Sequence, residues 1–315
     1  MDTSLRIGLN LYPQETTFED LMGTAELADR SGCDSLWIWD HLYGVAHGGQ
    51  QVFESWTTLS AIACRTTRVT IGALVASNTF RNPGLLAKCA VTVDHASAGR
   101  LVLGIGAGYQ EAEHAAFGID MGSSREERIE WLEESLELLE QLLASELVKS
   151  LPGGRYALDN AAVRPQPFRG PGSLPVMLGG GSPGIVRLVA RFGDMWHTRG
   201  SVPSLRRRVD RLHVACEAIG RDPSKIVLCL GNPVVIRDNA EEALAVYREA
   251  LAHNGQTLES APGEPWVGSP DSIAALWAPF AELGFRHLIA DLPSPHDPET
   301  VVRLTEVRDL VASGR

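Results

Sequence analysis

The sequence PVMLGGGSPGIVRLVARFGDMWH, residues 175–197, holds the unit that decides the fold. Pro175–Leu178 is short and apolar, as a buried strand is, and it leads into three glycines and a serine. A helical pattern follows as far as Arg191, and a second short strand is predicted at Met195–His197. Strand, helix and strand in this order are typical of a parallel sheet whose strands are joined by helices.

The same alternation runs through the chain on both sides of this unit. Val69–Ala76 is almost continuously apolar, as expected for a parallel strand covered by helices on both faces. The segments predicted to be strands are Arg6–Leu11, Ser35–Asp40, Val69–Ala76, Arg100–Ala107, Pro175–Leu178, Met195–His197, Lys225–Leu230 and Arg286–Asp291. This β-then-α order predicts an α/β fold of the (β/α)8 TIM barrel type, with a doubly wound sheet as the alternative.

Two stretches break the rhythm and are predicted to be insertions in a single barrel domain that spans residues 1–315. The first, Ser145–Leu174, follows the long fourth helix and is rich in proline and glycine. The second, Asn254–Pro265, precedes the eighth strand. Because specificity in a barrel lies in its loops, these stretches would help to select the substrate.

Length and charge limit the class of protein. The chain has 315 residues, with 28 Lys and Arg against 39 Asp and Glu, so its net charge is −11. Nucleic-acid binding needs a basic face, so this balance argues against a nucleic-acid partner, although an anionic small molecule stays open. The apolar runs fall short of the roughly 18 residues of a membrane span. The five cysteines are widely spaced, and we expect a reduced, cytoplasmic protein without a metal site.

In a barrel the active site forms at the C-terminal ends of the strands, so candidate residues are sought there. The second strand ends in Asp40 and His41, a titratable pair that could bind a cofactor ring and move a proton. A helix cap and a packed imidazole are the alternative. Ser77 follows the third strand, where it could line a pocket or make a turn. The fourth strand ends in the glycine-rich Gly104–Gly108, which admits a flat ring or a phosphate or serves tight packing.

The turn Gly179–Ser182 opens a helix, and the N–H groups at such a helix start form an anion site. A flexible turn is the alternative. Glu113 and His114 suggest an acid pair or the start of a metal site, but the sequence has no further ligand at helical spacing. His197 ends a strand, where it faces a pocket or is buried. The run Arg206–Arg208 is predicted to be a solvated helix face.

Five longer segments cover most of the chain in a characteristic order. They are GCDSLWIWDHL (Gly32–Leu42), TFRNP (Thr79–Pro83), TVDHASAGRLVLGIGAGY (Thr92–Tyr109), EHAAFGI (Glu113–Ile119) and LGGGSPGIVRLVARFGDMW (Leu178–Trp196). Together they resemble the luciferase-like monooxygenase superfamily of barrel flavoenzymes and their deazaflavin relatives. The resemblance implies a (β/α)8 fold, usually a homodimer, that uses coenzyme F420 or reduced FMN with O₂.

The segments after the second and fourth strands look more like the F420-dependent branch. The resemblance then implies that Asp40 contacts the deazaflavin and that the catalytic residue His41 faces the substrate as a base or acid. It also implies a bulge with a cis peptide bond at Leu74–Val75 behind the ring. The remaining residues implied to bind the cofactor or its phosphate are Ser77, Ala107, Gly108, Gly180, Gly181 and Ser182.

This likeness implies an F420-dependent oxidoreductase that moves a hydride between a small organic substrate and the deazaflavin. An FMN-dependent monooxygenase and a non-catalytic flavin-binding barrel are the alternatives. The sugar-phosphate dehydrogenases of the family place an acid where this chain has Tyr109, and basic residues where it has Thr198–Ser201. These departures disfavour a sugar phosphate and leave an alcohol, ketone, imine or enone as the substrate class.

Overall fold

The computed structural model describes residues 4–44, 46, 49–144, 147–150, 153–261 and 263–314. The strands in these ranges are β1 (Arg6–Leu11), β2 (Ser35–Ile38), β3 (Thr70–Ala73), β4 (Ala76–Ser77), β5 (Leu101–Gly106), β6 (Val176–Gly179), β7 (Met195–Thr198), β8 (Val227–Ile236), β9 (Trp266–Gly268) and β10 (Phe285–Leu292). The α-helices are α1 (Phe18–Ser31), α2 (Ser55–Arg65), α3 (Pro83–Ala96), α4 (Glu111–Phe117), α5 (Arg125–Ala144), α6 (Pro183–Phe192), α7 (Val202–Ala218), α8 (Ala240–His253), α9 (Pro270–Glu282) and α10 (Pro298–Ser313).

The sheet closes on itself through parallel pairs. The order around the barrel is β1, β2, β3, β5, β6, β7, β8 and β10, and β10 then pairs with β1. Closure requires that the last strand meets the first, which an open doubly wound sheet does not do. The predicted (β/α)8 TIM barrel is therefore confirmed. Within the described ranges, no helix combines the length and apolarity needed to cross a bilayer.

Two strands differ from the prediction. The third predicted strand is broken at Leu74–Val75, whose peptide bond is cis, so β3 and the short β4 stand in place of one segment. β8 continues beyond its predicted end at Leu230, because its second half pairs with β9 after its first half has paired with β10. β8 thus runs through Gly231-Asn232-Pro233, although glycine and proline are uncommon inside strands, and β9 lies outside the predicted strands.

The first irregular stretch contacts α5, where the backbone N–H of Tyr156 donates to Glu134 at 3.1 Å. Its described part pairs Val148 with Ala161 through an isolated antiparallel bridge, and Tyr156 accepts a hydrogen bond from Asn78 at 3.0 Å. Ser145, where this insertion is predicted to begin, lies outside the described residues, as do Pro152 in the same stretch and Pro262 in the second one.

Four helices that follow strands begin in the same way. A side-chain oxygen accepts a hydrogen bond from the first turn, and a proline follows directly, so the cap and the proline together fix where the helix starts. The four pairs are Asn82-Pro83, Ser182-Pro183, Ser269-Pro270 and Asp297-Pro298. These starts lie at the end of the barrel where the strands finish, so they also fix the rim of the site described below.

Three glycines clear the space around the break in the third strand. A Cβ atom at Gly104 would lie 1.9 Å from the carbonyl oxygen of Ala73. Cβ atoms at Gly106 and Gly179 would lie 2.7 and 2.8 Å from a methyl group of Val75. Glycines in β5 and β6 therefore let the backbone at Leu74–Val75 bulge into the barrel.

Replacing Gly104 by alanine is expected to lower the free energy of unfolding by about 3 kcal/mol. This value is at the upper end of the cost of overpacking a core, because the added Cβ atom would displace backbone atoms. Gly23, on an exposed turn of α1, is the matched control, since a Cβ atom there meets nothing within 4 Å. Gly23→Ala should raise stability by about 0.5–1 kcal/mol. Urea unfolding followed by circular dichroism measures both, and equal stabilities of the two variants would contradict the packing argument.

Candidate active site

A cavity of about 550 Å³ opens where the barrel strands end. The ten residues that the sequence predicted to serve a cofactor or substrate all line it: Asp40, His41, Leu74, Val75, Ser77, Ala107, Gly108, Gly180, Gly181 and Ser182. Sequence reasoning missed several further lining residues: Asn10, Tyr12, Trp39, Arg125, Arg128 and Ile185. The barrel thus brings together side chains and backbone from the ends of six different strands.

His41 is held between two partners at one wall of the cavity. Its Nδ1 lies 2.9 Å from Oε1 of Glu113, and its Nε2 lies 3.2 Å from the hydroxyl of Tyr109. A carboxylate can only accept, so Nδ1 carries the proton and Nε2 is left as the acceptor. The ring also packs edge-on against Trp39, at 5.1 Å between ring centres. His41 therefore presents a basic nitrogen to the cavity in a fixed orientation.

The carboxylate of Glu113 is almost entirely buried and is well satisfied. It also accepts the backbone N–H groups of Leu42, at 2.8 Å, and Tyr43, at 3.4 Å. Burial acts to raise the pKa of Glu113, but the hydrogen bonds from His41, Leu42 and Tyr43 outweigh it, so this pKa is lowered. Glu113 is therefore the anionic partner of His41.

Glu113 and His114, adjacent in sequence, have separate partners. The Nε2 atom of His114 lies 2.6 Å from the hydroxyl of Thr79, and its Nδ1 lies 2.7 Å from the carbonyl oxygen of Gln110. Across the residues that the structure describes, no three His, Cys, Asp or Glu side chains converge on a possible metal site. The pair is better explained by one residue that holds His41 and one that anchors the start of α4.

Asp40 lines the cavity, but its carboxylate is engaged with the protein. It receives two hydrogen bonds from Arg81, at 2.6 and 3.1 Å, and one from the backbone N–H of Ser77, at 3.0 Å. Arg81 also reaches Glu54, the N-cap of α2. Burial raises the pKa of Asp40 even though Arg81 acts in the opposite direction. Asp40 thus ties the end of β2 to the backbone just after the break at Leu74–Val75.

The far wall of the cavity is the start of α6. Gly180 has a φ of +119°, and the Ser182 hydroxyl caps the helix. The first N–H groups of a helix have no acceptor within it and point outward at the positive end of the dipole. Arg125 and Arg128 of α5, a helix that contacts α6, also line the cavity, and Arg128 donates to the carbonyl oxygen of Gly108 at 3.2 Å. The cavity therefore carries positive charge from side chains as well as from backbone.

Arg208 differs from the prediction of a solvated arginine face. It is half-buried, and its guanidinium donates to the Thr198 hydroxyl at 2.9 Å and to the Arg199 carbonyl oxygen at 2.8 Å. A Cβ atom at Gly181 would lie 2.5 Å from this group. Arg208 therefore packs against the turn Gly179–Ser182, whereas Arg206 and Arg207 are exposed as predicted.

A polar cluster forms the inner end of the cavity. Arg199 donates to Asp291 at 2.6 Å, and Asn10 donates to the same carboxylate oxygen at 2.8 Å. His197 is buried beside Arg199, and burial followed by this positive charge lowers the pKa of His197 to about 3. Tyr12 completes the cluster, with its ring stacked on Trp39 at 4.4 Å between centres. The two readings offered for His197, facing the pocket and being buried, both hold.

Residues 3–278 match the sequence profile of the luciferase-like monooxygenase family. The chain belongs to this family. Its barrel, its broken third strand and the position of its cavity agree with the resemblance seen in the sequence.

Individual relatives are similar along nearly their full length. The F420-dependent glucose-6-phosphate dehydrogenase of Microbacterium testaceum is 27% identical over 96% of both chains. An F420-dependent secondary alcohol dehydrogenase, solved with an F420–acetone adduct, superposes with a TM-score of 0.85 at 20% identity over 98% of this chain and 99% of the other. The monooxygenase RslO1 of Streptomyces bottropensis superposes with a TM-score of 0.82 at 21% identity over 98% and 99%. The two structural likenesses establish the barrel architecture.

Proposed function

We propose that this chain is an F420-dependent oxidoreductase that moves a hydride between a small organic substrate and the deazaflavin. The observation that carries this proposal is that the cavity has two chemically different ends. His41, fixed by Glu113 for proton transfer, follows β2, and the positively charged start of α6 follows β6. The bulge at Leu74–Val75 follows β3, which lies between these strands in the barrel order. A flat ring with a phosphate-bearing chain matches this arrangement.

The residues fit a deazaflavin cofactor. Val75 would support one face of the ring, and the missing side chains at Gly106 and Gly108 would let the ring approach the backbone. A Cβ atom at Gly108 would lie 2.8 Å from the hydroxyls of Ser77 and Thr79, so this wall admits no larger residue without rearrangement. The start of α6, with Arg125 and Arg128, would hold the phosphate.

When bound, the cofactor supplies a carbon, C5 of the deazaflavin, that accepts or donates a hydride. The chain itself handles the proton. In the oxidation of an alcohol, Nε2 of His41 takes the hydroxyl proton while the hydride leaves the substrate carbon, and the reverse direction returns both. Glu113 stabilises the imidazolium that forms, and the cavity wall orients the substrate and excludes water.

The relatives support the choice of cofactor. Several relatives that match more than nine-tenths of this chain are F420-dependent glucose-6-phosphate dehydrogenases. A structural neighbour at a TM-score of 0.85 holds F420 joined to acetone, a small ketone. An alcohol or ketone as substrate agrees with a histidine held by Glu113 in a position to take or return a hydroxyl proton.

Titration of the purified protein with F420 and with FMN tests the cofactor. Quenching of the cofactor fluorescence reports binding in each titration. We expect the protein to bind F420 at least about tenfold more tightly than FMN, which is a difference of about 1.4 kcal/mol in binding free energy. An Arg125→Gln/Arg128→Gln double variant should weaken F420 binding, whereas Arg206→Gln/Arg207→Gln, which changes the exposed arginines of α7, should not. Tight FMN binding together with no F420 binding would overturn the proposal in favour of a flavin-dependent monooxygenase.

We also propose that the chain forms one domain, as its regular strand–helix rhythm suggests, and that it acts in the cytoplasm, as its widely spaced cysteines suggest. The family resemblance further suggests that it works as a homodimer. Its partners would then be a small-molecule substrate and a second copy of itself, and neither nucleic acid nor a membrane. Sedimentation equilibrium of the purified protein distinguishes a dimer from a monomer.

A further inference from the structure

The inner end of the cavity contains an ion pair whose positive member faces the cavity. The Arg199 side chain is 34% exposed, whereas that of Asp291, which it contacts at 2.6 Å, is only 1% exposed. Asp291 therefore lies behind Arg199 and balances its charge. Without Asp291, Arg199 would present an unbalanced positive charge to whatever enters the cavity.

Three buried polar atoms in the same cluster have no hydrogen-bond partner within the described residues. Oδ2 of Asp291 is ion-paired with Arg199 at 2.6 Å, whereas Oδ1 of Asn10 and Nε2 of His197 belong to residues that line the cavity. Buried polar atoms are almost always hydrogen-bonded, so atoms without a partner at a cavity wall point to a ligand group. Since the Asn10 amide already donates to Asp291, its oxygen is left as an acceptor for a ligand group.

The cluster and His41 lie on the same wall of the cavity. Tyr12 and Arg199 both line the cavity, and the ring of Tyr12 stacks on Trp39, which in turn packs against His41. Arg199 also acts electrostatically on Tyr109, the other partner of His41. A substrate whose reacting oxygen lies at His41 would therefore extend its other end into the cluster, away from the start of α6.

We propose that Asn10, Tyr12, His197 and Arg199 form a substrate subsite for an uncharged group that both donates and accepts hydrogen bonds, such as a second hydroxyl or an amide, and that Asp291 makes this subsite reject phosphate and carboxylate. This inference rests on the proposed function and adds a substrate class to it. The subsite offers donors from Arg199 and Tyr12 and acceptors from Asn10, with no net charge. A phosphate dianion would meet the Asp291 carboxylate behind a single arginine.

Matched pairs of neutral and phosphorylated compounds test the subsite. Calorimetric titration of the F420-loaded protein with glucose and glucose 6-phosphate, and with glycerol and glycerol phosphate, gives an affinity ratio for each pair. The wild-type protein should bind the phosphorylated member no more tightly than the neutral one. Asp291→Asn should shift the ratio toward the phosphorylated member by at least about tenfold, since charge-assisted hydrogen bonds are worth that much. Asp297→Asn, which breaks a carboxylate pair with Arg237 outside the cavity lining, should leave the ratio unchanged.

Several outcomes would overturn the subsite. In the first, the wild-type protein prefers the phosphorylated compound and Arg199→Gln abolishes that preference. In the second, Asp291→Asn leaves the affinity ratio unchanged. In the third, neither neutral compound binds. Weaker binding of F420 itself in Arg199→Gln would assign the cluster to the cofactor ring and so would also overturn it. The wild-type ratio needs no variant, so the test holds even where Asp291→Asn does not fold. Absence of F420 binding to the wild-type protein would instead mean that the proposed function fails.

Discussion

Replacing His41 by alanine is expected to lower the rate constant of hydride transfer by about 10²–10⁴-fold, the usual contribution of a positioned general acid or base. The reason is geometric. His41 lies at the cavity wall with Nδ1 bonded to Glu113, so Nε2 is the basic atom available to a substrate hydroxyl. Single-turnover absorbance measurements on the F420-loaded protein, with an alcohol substrate, give this rate constant directly. The affinity for F420 should change by less than about threefold, because the proposed phosphate site lies at the start of α6 and not at His41.

His213 provides the matched control for this substitution. It lies exposed on α7 and does not line the cavity, so His213→Ala should keep the wild-type rate. A His41→Ala variant that folds, binds F420 and transfers hydride at the wild-type rate would remove the proton-transfer role. The chain would then still be an oxidoreductase, but its substrate proton would leave through water or through another residue.

Glu113→Gln separates positioning from proton transfer at the same site. A glutamine keeps one acceptor oxygen for Nδ1 of His41, although its amide NH2 then replaces the oxygen that accepts from Leu42 and Tyr43, and the negative charge that favours the imidazolium is lost. We expect a fall of about 10-fold in the rate constant and a shift of the acidic limb of its pH profile toward lower pH. A purely structural role of Glu113 would lower stability without moving that limb. Asp would not serve as well as Gln here, because it is shorter by one methylene.

The sequence predicts the parts of this site that depend on where a strand ends. The positions Asp40, Gly108 and Gly180 follow apolar strands directly, and all parallel strands of a barrel end at the same rim. Their presence around one cavity therefore follows from counting strands. The cis bond at Leu74–Val75 could be expected only from the family resemblance, because no local pattern in VTIGALVA marks it.

The charged partnerships of the site could not be predicted in this way. Glu113 meets His41 from 72 positions away in sequence, and Asp291 meets Arg199 from 92 positions away. Such pairs depend on the rotation of each strand about its own axis and on which loop folds inward, and neither is encoded in hydrophobic periodicity. Glu113 stands out in the sequence because it adjoins His114, yet its partner His41 lies in the segment after β2. For the same reason, hydrophobic periodicity predicts a solvated face at Arg206–Arg208 and does not reveal that Arg208 contacts Thr198 and Arg199.

The second large effect, on stability, is expected at the ion pair between Arg81 and Asp40. Arg81→Met should lower the free energy of unfolding by about 3–5 kcal/mol, because it leaves the Asp40 carboxylate buried without its counter-charge. The side chains of Arg81 and Asp40 are 12% and 1% exposed, so water cannot replace the lost partner. Arg187→Met is the matched control: Arg187 pairs with Glu133 on the surface and is 59% exposed. Its loss should cost less than about 1 kcal/mol.

A double-mutant cycle with Asp40→Asn shows whether the cost comes from the unpaired charge. Asparagine keeps an acceptor for the Ser77 N–H group, so Arg81→Met/Asp40→Asn should recover most of the stability that Arg81→Met loses. Burial already raises the pKa of Asp40 in the intact protein, and removing Arg81 raises this pKa further. A carboxyl group whose pKa is higher in the folded state than in the unfolded state stabilises the fold at low pH and loses that stabilisation as the pH rises. The deficit of Arg81→Met relative to wild type should therefore be larger at pH 8 than at pH 5, as measured by urea unfolding. A deficit no larger than that of Arg187→Met, or one that the second substitution does not reduce, would show that the pair contributes little to holding β2 against the bulge of β3.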